Sequence, residues 1–415
     1  FLTVIFPHDQ MQVLPYHRLV KDYKLVKDSV NDPVADSRLA AKLLRDQWQA
    51  FAELAAHGES DVLNWYRYCL HGDIPSPDGA IHTNGLVSFL ELLGARRLDD
   101  SAARAVFGRV TGERACSTAI RNMDAATVTR RERAALAYGL AWLRVAGGNS
   151  LLPPWVRGTF PEAAALLRRL REIPCGDSAC GYCGRVHDVC GQLQRHFGFA
   201  AFRPIPAAAD GSSLQEAIAR RGIGDQPLLA ILPTGGGKSL CYQLPALVRH
   251  ERRGVLTVVL SPLQALMKDQ VDNFTAKTGS PAAAAVNGLL TPPERGDVLE
   301  RVRLGTVSLL YVSPEQLRNK STVAAIKQRE IGCWVFDEAH CLSKWGHDFR
   351  PDYLYAARFI RELAREQGVA PPPVACFTAT AKRDVIEEVI AHFRQELGQE
   401  LELFEGGIER ENLNF

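Results

Sequence analysis

The stretch from Leu228 to Leu244 constrains this chain most. An apolar run, Leu228-Leu-Ala-Ile-Leu232, leads directly into Pro233-Thr-Gly-Gly-Gly-Lys-Ser239 and then into a helix-like Leu240-Cys-Tyr-Gln-Leu244. Strand, glycine loop, Lys-Ser and helix, in that order, build an anion cradle. Gly235, Gly236 and Gly237 let backbone amides converge on a phosphate, and the helix N-terminus adds its partial positive charge. With Thr234 in the same loop, Lys238 is expected to bridge the β- and γ-phosphates of a nucleotide and the Ser239 hydroxyl to ligate Mg²⁺. Pro233 stands where the plain Gly-x4-Gly-Lys spacing has its first glycine.

A second apolar run, Trp334-Val-Phe336, ends in Asp337-Glu-Ala-His340, a hundred positions downstream of the loop lysine. Asp337 is expected to hold Mg²⁺ through water, and Glu338 to orient and deprotonate an attacking water. Neighbouring strand residues point to opposite faces, so a turn after the strand must bring both carboxylates to one side. A third run ends in Phe377-Thr-Ala-Thr-Ala381. The hydroxyls of Thr378 and Thr380, at a sheet's carboxyl edge, can connect the γ-phosphate position with whatever lies across the cleft.

Apolar runs at Leu228–Leu232, Val255–Leu260, Ser308–Val312, Cys333–Phe336 and Val374–Phe377 alternate with helical segments. Such runs read as strands buried on both faces of a parallel sheet with helical crossovers, so residues 193–415 read as one α/β domain of P-loop type. Ala282–Ala285 reads as loop-sized. Residues 1–172 read as a mostly helical accessory domain. Asp36 can cap a helix whose apolar face is Leu39, Leu43, Leu44, Trp48, Phe51 and Leu54, a second helix starts at Arg130, and Pro161 suits the first turn of a third over Glu162–Arg171.

The chain has 415 residues, a net charge of +2 and no apolar stretch long enough to cross a membrane. That balance leaves no long basic arm, so any nucleic acid would be held in a local groove. The ten cysteines are too sparse for a secreted disulfide scaffold and point to a reducing, cytoplasmic compartment. Cys175, Cys180, Cys183 and Cys190 cluster within residues 173–192, with glycines beside them for tight turns. Four thiolates this close can make a closed tetrahedral zinc site; an iron–sulfur cluster is the alternative.

These blocks carry a resemblance. Residues 193–415 resemble the first RecA-like domain of RecQ-family superfamily 2 DNA helicases, in which the proline departure in the phosphate loop is common. The strings are Phe197-Gly-Phe-Ala-Ala-Phe-Arg-Pro204, Leu232–Pro245, Ser261-Pro-Leu-Gln-Ala-Leu-Met-Lys-Asp-Gln-Val271, Tyr311-Val-Ser-Pro-Glu-Gln-Leu317, Asp337–Tyr353 with Trp-Gly-His-Asp-Phe-Arg inside it, and Phe377-Thr-Ala-Thr380. The architecture so implied is a RecA-like domain with a parallel sheet, preceded by the helical domain and a small Cys-rich metal knuckle. That order is faintly similar to RecQ-like helicases of bacterial DNA-modification and defence gene clusters.

The resemblance implies roles. Arg203 and Gln215 would contact adenine or steer the nucleotide, although Ile205–Ser213 look inserted between them. Ser261, Lys268, Gln270, Ser313 and Glu315 would line a single-strand track. Trp345, His347, Phe349 and Arg350 would stack on bases and report occupancy to the ATP site. Lys344 stands where the family more often has Gln. The implied activity is ATP- and Mg²⁺-dependent 3′–5′ movement on single-stranded or tailed duplex DNA, with protein partners on the helical domain. A translocase that does not unwind, or a DNA-binding module, is the alternative. A second RecA-like domain with its arginine finger is expected after the present residues.

Overall fold

Alternating apolar runs and amphipathic helices produce a seven-stranded sheet in which every recorded pairing is parallel. The computed structural model describes residues 45, 48–49, 60–75, 79–122, 129–145, 159–204, 213–233, 235–343, 350–379 and 382–406. They fall into two units: residues 1–147 with 151–184, and residues 148–150 with 185–415.

In the first unit the helices are α1 (Ser60–Cys69), α2 (Asn84–Leu92), α3 (Asp100–Thr111), α4 (Ser117–Arg121), α5 (Arg130–Val145), α6 (Glu162–Arg171) and α7, whose span Gly181–Val186 runs past the unit's last residue. The expected helices at Arg130 and Glu162 are therefore present, the latter with Pro161 at its N-cap. Asp99 starts α3 by accepting from the Ala102 amide at 2.8 Å, which satisfies one orphan donor of the first turn. Trp65 of α1 stacks on Phe107 of α3 with ring centroids 4.4 Å apart, and both are buried with Leu63, Leu136, Leu140 and Leu166. Most of the helix expected after Asp36 lies outside the described residues; within it the Trp48 ring meets the Phe89 edge at 5.9 Å.

The second unit carries the sheet. Its strands are β1 (Leu228–Ile231), β2 (Leu256–Leu260), β3 (Ala283–Val286), β4 (Leu309–Val312), β5 (Ile331–Asp337), β6 (Val374–Thr378) and β7 (Glu402–Glu405), arranged β3-β4-β2-β5-β6-β1-β7. Helices α8 (Val189–Phe197), α9 (Leu214–Ile223), α10 (Lys238–Arg253), α11 (Gln264–Thr278), α12 (Pro292–Arg303), α13 (Lys320–Lys327), α14 (Pro351–Gln367) and α15 (Arg383–Leu397) connect and cover it. Strands β1, β2, β4 and β6 are buried at every position, which is why they read as near-continuous apolar runs, broken only by Thr257 and Thr378. Each fully buried Leu, Val or Ile side chain contributes about 1.5–3 kcal/mol.

One sequence expectation is corrected. Ala283–Val286, overlapping the Ala282–Ala285 segment read as loop, is an edge strand paired with β4. Alanine has little intrinsic strand preference, but the pairing and burial of Ala283 and Ala284 override it.

The amino-terminal edge of the sheet is tied by Arg329, 1% exposed, which donates to the carbonyls of Gly254 at 2.6 Å, Val302 at 2.7 Å and Val307 at 3.3 Å. One guanidinium thus joins the segments that enter β2, β4 and β5. Burial pulls its pKa down to about 10, so it remains charged at neutral pH.

Candidate nucleotide site and thiol cluster

The carboxyl ends of β1, β6 and β5 are adjacent, and the sequence places a functional block at each. Beyond β1, the phosphate loop turns on Gly236, whose amide donates to the Pro233 carbonyl at 2.8 Å. Gly235 and Gly237 have φ of +81° and +78°, which a side chain opposes. A Cβ on Gly237 would also lie 2.3 Å from Gln215 Nε2, and one on Gly236 2.9 Å from the Pro233 oxygen. Lys238 and Ser239 open α10, so the positive end of that helix faces the loop.

Asp337 closes β5. Its carbonyl accepts from the buried Tyr353 hydroxyl at 2.8 Å, and its Oδ1 accepts from the Glu338 amide at 3.1 Å. Glu338 takes φ +50° and ψ +50°, a left-handed conformation unusual for a non-glycine residue. That turn supplies the reversal two adjacent strand carboxylates need to serve one site. Lys238 Nζ then stands 3.3 Å from Glu338 Oε1. Burial, with a smaller push from the Glu338 charge, raises the Asp337 pKa from 3.8 to about 6 despite the opposing pull of Lys238.

Thr378 ends the intervening strand, β6. Its carbonyl accepts from the Leu232 amide at 3.1 Å, and His340 Nδ1 lies 3.0 Å from its hydroxyl and 3.4 Å from Glu338 Oε2. Phosphate loop, acidic pair and Thr378 are thereby joined. Thr234 and Thr380 lie outside the described residues.

A cleft of about 710 Å³ opens over the loop, lined among others by Phe199, Arg203, Gln215, Lys238, Gln270 and Glu338. Gln215, 1% exposed, accepts from the Arg203 amide at 3.0 Å and aims Nε2 at the Gly236 and Gly237 carbonyls at 3.5 and 3.4 Å. Arg203 donates to the Gly235 carbonyl. The expected adenine pair thus sits on the loop itself, while most of the inserted segment lies outside the described residues.

Sequence reasoning assigned no role to several side chains here. Phe199 is 42% exposed in the cleft and stacks at 6.2 Å on Phe197, offering a flat ring at the site's mouth. Its signal was present in the Phe197-Gly-Phe199 string. Gln243, His340 and Tyr353 stand in the Leu232–Pro245 and Asp337–Tyr353 strings without an individual role.

The residues expected along a strand track divide. Ser261 and Ser313 are buried at the carboxyl ends of β2 and β4, and Ser313 Oγ has no hydrogen-bond partner among the described residues. Arg350 donates to the Pro262 carbonyl at 3.0 Å, and Glu315 accepts from Gln264 at 3.1 Å. Lys268 is exposed on α11. Gln270 instead faces the nucleotide cleft and accepts from Gln243 at 3.5 Å. Trp345, His347 and Phe349, with Lys344, lie outside the described residues.

In the first unit the thiols of Cys116, Cys175, Cys180 and Cys183 come within 4.8 Å of one another. Cys116 and Cys180 are 3.7 Å apart, and the Ala119 amide donates to Cys116 Sγ at 3.3 Å. The fourth member is Cys116, in place of the Cys190 expected from spacing. Cys190 is exposed on the first turn of α8, where burial, then Glu216 and Asp188, push its thiol up. Within the cluster, burial opposes ionisation of Cys180, but the Cys183 amide and the neighbouring thiols bring it down to about 6. Burial and those neighbours push Cys183 up to about 12.

A parallel sheet with phosphate loop, acidic pair and connecting threonine at adjacent strand ends defines a P-loop domain of the helicase kind. Residues 212–389 match the DEAD/DEAH box helicase family. The chain is 38% identical over 198 residues to the probable ATP-dependent DNA helicase RecS of Bacillus subtilis, covering 48% of this chain and 36% of that one. It is 34% identical over 230 residues to the ATP-dependent DNA helicase RecQ of the same organism, covering 55% and 35%. Among solved structures, the Pyrococcus furiosus Hef helicase domain matches 46% of this chain and 37% of its own at 23% identity and TM-score 0.35. Across this domain the chain is similar to RecQ-type helicases, and it spans roughly a third of the length of the curated relatives it matches.

Proposed function

We propose that this chain is the nucleotide-binding half of an ATP-driven DNA helicase that moves 3′ to 5′ on single-stranded DNA. The observation that carries the reading is the approach of Lys238 to Glu338 across a loop that glycine alone can form. In this reading Lys238 and the loop amides hold the β- and γ-phosphates, Ser239 and Asp337 hold Mg²⁺, and Glu338 takes the proton of the attacking water. Mg²⁺ would neutralise charge developing on the transferred phosphoryl group. Gln215, Arg203 and Phe199 would select the base.

The DNA strand would run along the carboxyl ends of β2 and β4, past Ser261, Ser313, Lys268, Glu315 and Arg350, with the aromatic segment Trp345–Phe349 stacking on bases. Residues 1–172 would serve as an accessory domain for protein partners. A metal ion on the clustered thiols, zinc before iron–sulfur, completes the cofactor set. No described helix is long and apolar enough to cross a membrane, and a cytoplasmic site of action agrees with ten free cysteines.

The test is DNA-stimulated ATP turnover by the full-length protein, together with strand separation on 3′- and 5′-tailed duplexes. Turnover lost in Glu338→Gln, with unwinding of the 3′-tailed substrate only, supports the proposal. Stimulated turnover without strand separation would leave a translocase. Turnover insensitive to Glu338→Gln overturns the assignment.

A further inference from the structure

The four converging thiols assemble from two separate segments of the helical unit, and that division has a consequence. We propose that Cys116, Cys175, Cys180 and Cys183 are the complete ligand set of one structural zinc ion, which clamps the 175–183 knuckle to the start of α4. The proposal rests on the reading of this cluster as a metal site and assigns its donors, its metal and its role.

Distance argues first. Zinc–thiolate bonds of about 2.3 Å in a tetrahedron place neighbouring sulfurs about 3.8 Å apart. Cys116 and Cys180 are 3.7 Å apart, and no pair in the set exceeds 4.8 Å. A disulfide needs about 2.05 Å between two sulfurs and gives no reason for four to converge. An iron–sulfur cluster interposes several iron and sulfide atoms and drives its thiolates farther apart than a single ion does.

The surroundings argue second. Cys180 and Cys183 flank the first turn of α7, where the Cys180 amide donates to the Asp177 carbonyl at 3.0 Å and its carbonyl accepts from Gly184 at 2.9 Å. Cys116 reaches the same point from 64 positions before Cys180, held by its amide on the Leu170 carbonyl at 2.8 Å. Around the sulfurs runs an outer layer that fixes both segments: Ala119 N–H to Cys116 Sγ at 3.3 Å, Thr118 Oγ1 to Asp177 Oδ2 at 3.0 Å, and the Tyr182 hydroxyl to the Arg171 carbonyl at 3.1 Å. Metal ligands characteristically have a second partner, as Cys116 has in the Ala119 amide.

Chemistry argues third. Four thiolate donors fill a tetrahedral ion and leave no position for water or substrate, so the site is a brace and not a reaction centre. Binding Zn²⁺ displaces the thiol protons into solvent and requires no oxidant. The ion closes a chain loop that contains α5 and α6, so its removal frees the segments on either side of them. Cys190 has no part in this set.

The experiment uses the full chain, purified under reducing conditions without added metal. Bound metal is measured by mass spectrometry of the elements, and cysteines are mapped by alkylation before and after a zinc chelator. One zinc per chain is expected, with Cys116, Cys175, Cys180 and Cys183 becoming alkylated together when the chelator is added, and Cys190 alkylated from the start. Cys116→Ser should lower zinc affinity by more than the ~10–100-fold that loss of an outer partner costs, and Cys190→Ser should leave it unchanged. The alkylation map decides the matter even if Cys116→Ser fails to fold. Zinc that protects Cys190 but not Cys116 overturns the donor set while leaving a metal site. Iron with visible charge-transfer absorption overturns zinc. A chain without metal, whose thiols react independently of chelator, overturns the metal reading itself.

Discussion

Lys238 Nζ lies 3.3 Å from Glu338 Oε1, although 100 positions separate the two residues. The loop after β1 and the turn after β5 are thus brought face to face, and the same carboxylate reaches His340 through its other oxygen. Glu338→Gln removes the charge but keeps the shape. Hydrolysis should fall by the ~10²–10⁴-fold that a positioned general base contributes, with nucleotide affinity retained. Lys238→Ala should lose both affinity and turnover. Binding of a fluorescent nucleotide measured beside DNA-stimulated turnover separates the two variants.

Asp337 gives a pH dependence. Its folded pKa of about 6 lies above the ordinary 3.8, chiefly because of burial. Between these values the folded protein holds a proton that the unfolded chain has released, so this group lowers stability as pH rises through that window. Metal binding requires the carboxylate. Magnesium–nucleotide affinity should therefore weaken below about pH 6, approaching tenfold per pH unit for one proton. Calorimetric titrations from pH 5 to 8 check this, and Asp337→Asn should flatten the profile at low affinity throughout.

Gly237 is restricted twice, by its φ of +78° and by Gln215 Nε2 standing 2.3 Å from where a Cβ would be. Gly237→Ala should cost about 1–2 kcal/mol for the left-handed backbone and also displace Gln215 from the loop. Gly235, with φ +81° but open space, should pay only the backbone term when changed to Ala. Denaturant midpoints would then fall similarly in both variants, while nucleotide affinity falls further in Gly237→Ala.

His340 lies between Glu338 and Thr378 and holds them together through one ring nitrogen. His340→Ala should weaken their coupling by about 0.5–2 kcal/mol, seen as roughly 2–30-fold slower DNA-stimulated hydrolysis at unchanged nucleotide affinity. Equal losses of affinity and rate would assign the histidine to ground-state binding instead.

Arg329→Leu should be the most destabilising single change among these. It leaves the carbonyls of Gly254, Val302 and Val307 buried without their donor, at about 1–3 kcal/mol for each group left unsatisfied. Urea unfolding of the full chain would register it. A midpoint within error of the parent would show that water replaces the guanidinium.

Five of the seven strands were legible because burial on both faces writes a near-continuous apolar run, as in Leu228–Ile231. Strand β3 was hidden because four small residues carry no such signature until β4 fixes them. The positions of the glycine loop, Asp337 and Glu338 at the ends of β1 and β5 were readable from local order, since each directly follows an apolar strand run. Cys116 was not readable, because spacing reveals only ligands that are neighbours in sequence, and a fourth donor from a distant segment leaves no local trace. The same reason explains Gln270: its motif places it on α11, but only the folded chain brings it within 3.5 Å of Gln243.

The guanidinium at the base of the sheet also bears on how the domain can respond to a ligand. With the entry segments of three strands bolted to one buried cation, that end behaves as a fixed anvil. Under the proposed reading, a response to a nucleotide bound at the opposite rim would fall on the loops that border the cleft, where His340 joins Glu338 and Thr378.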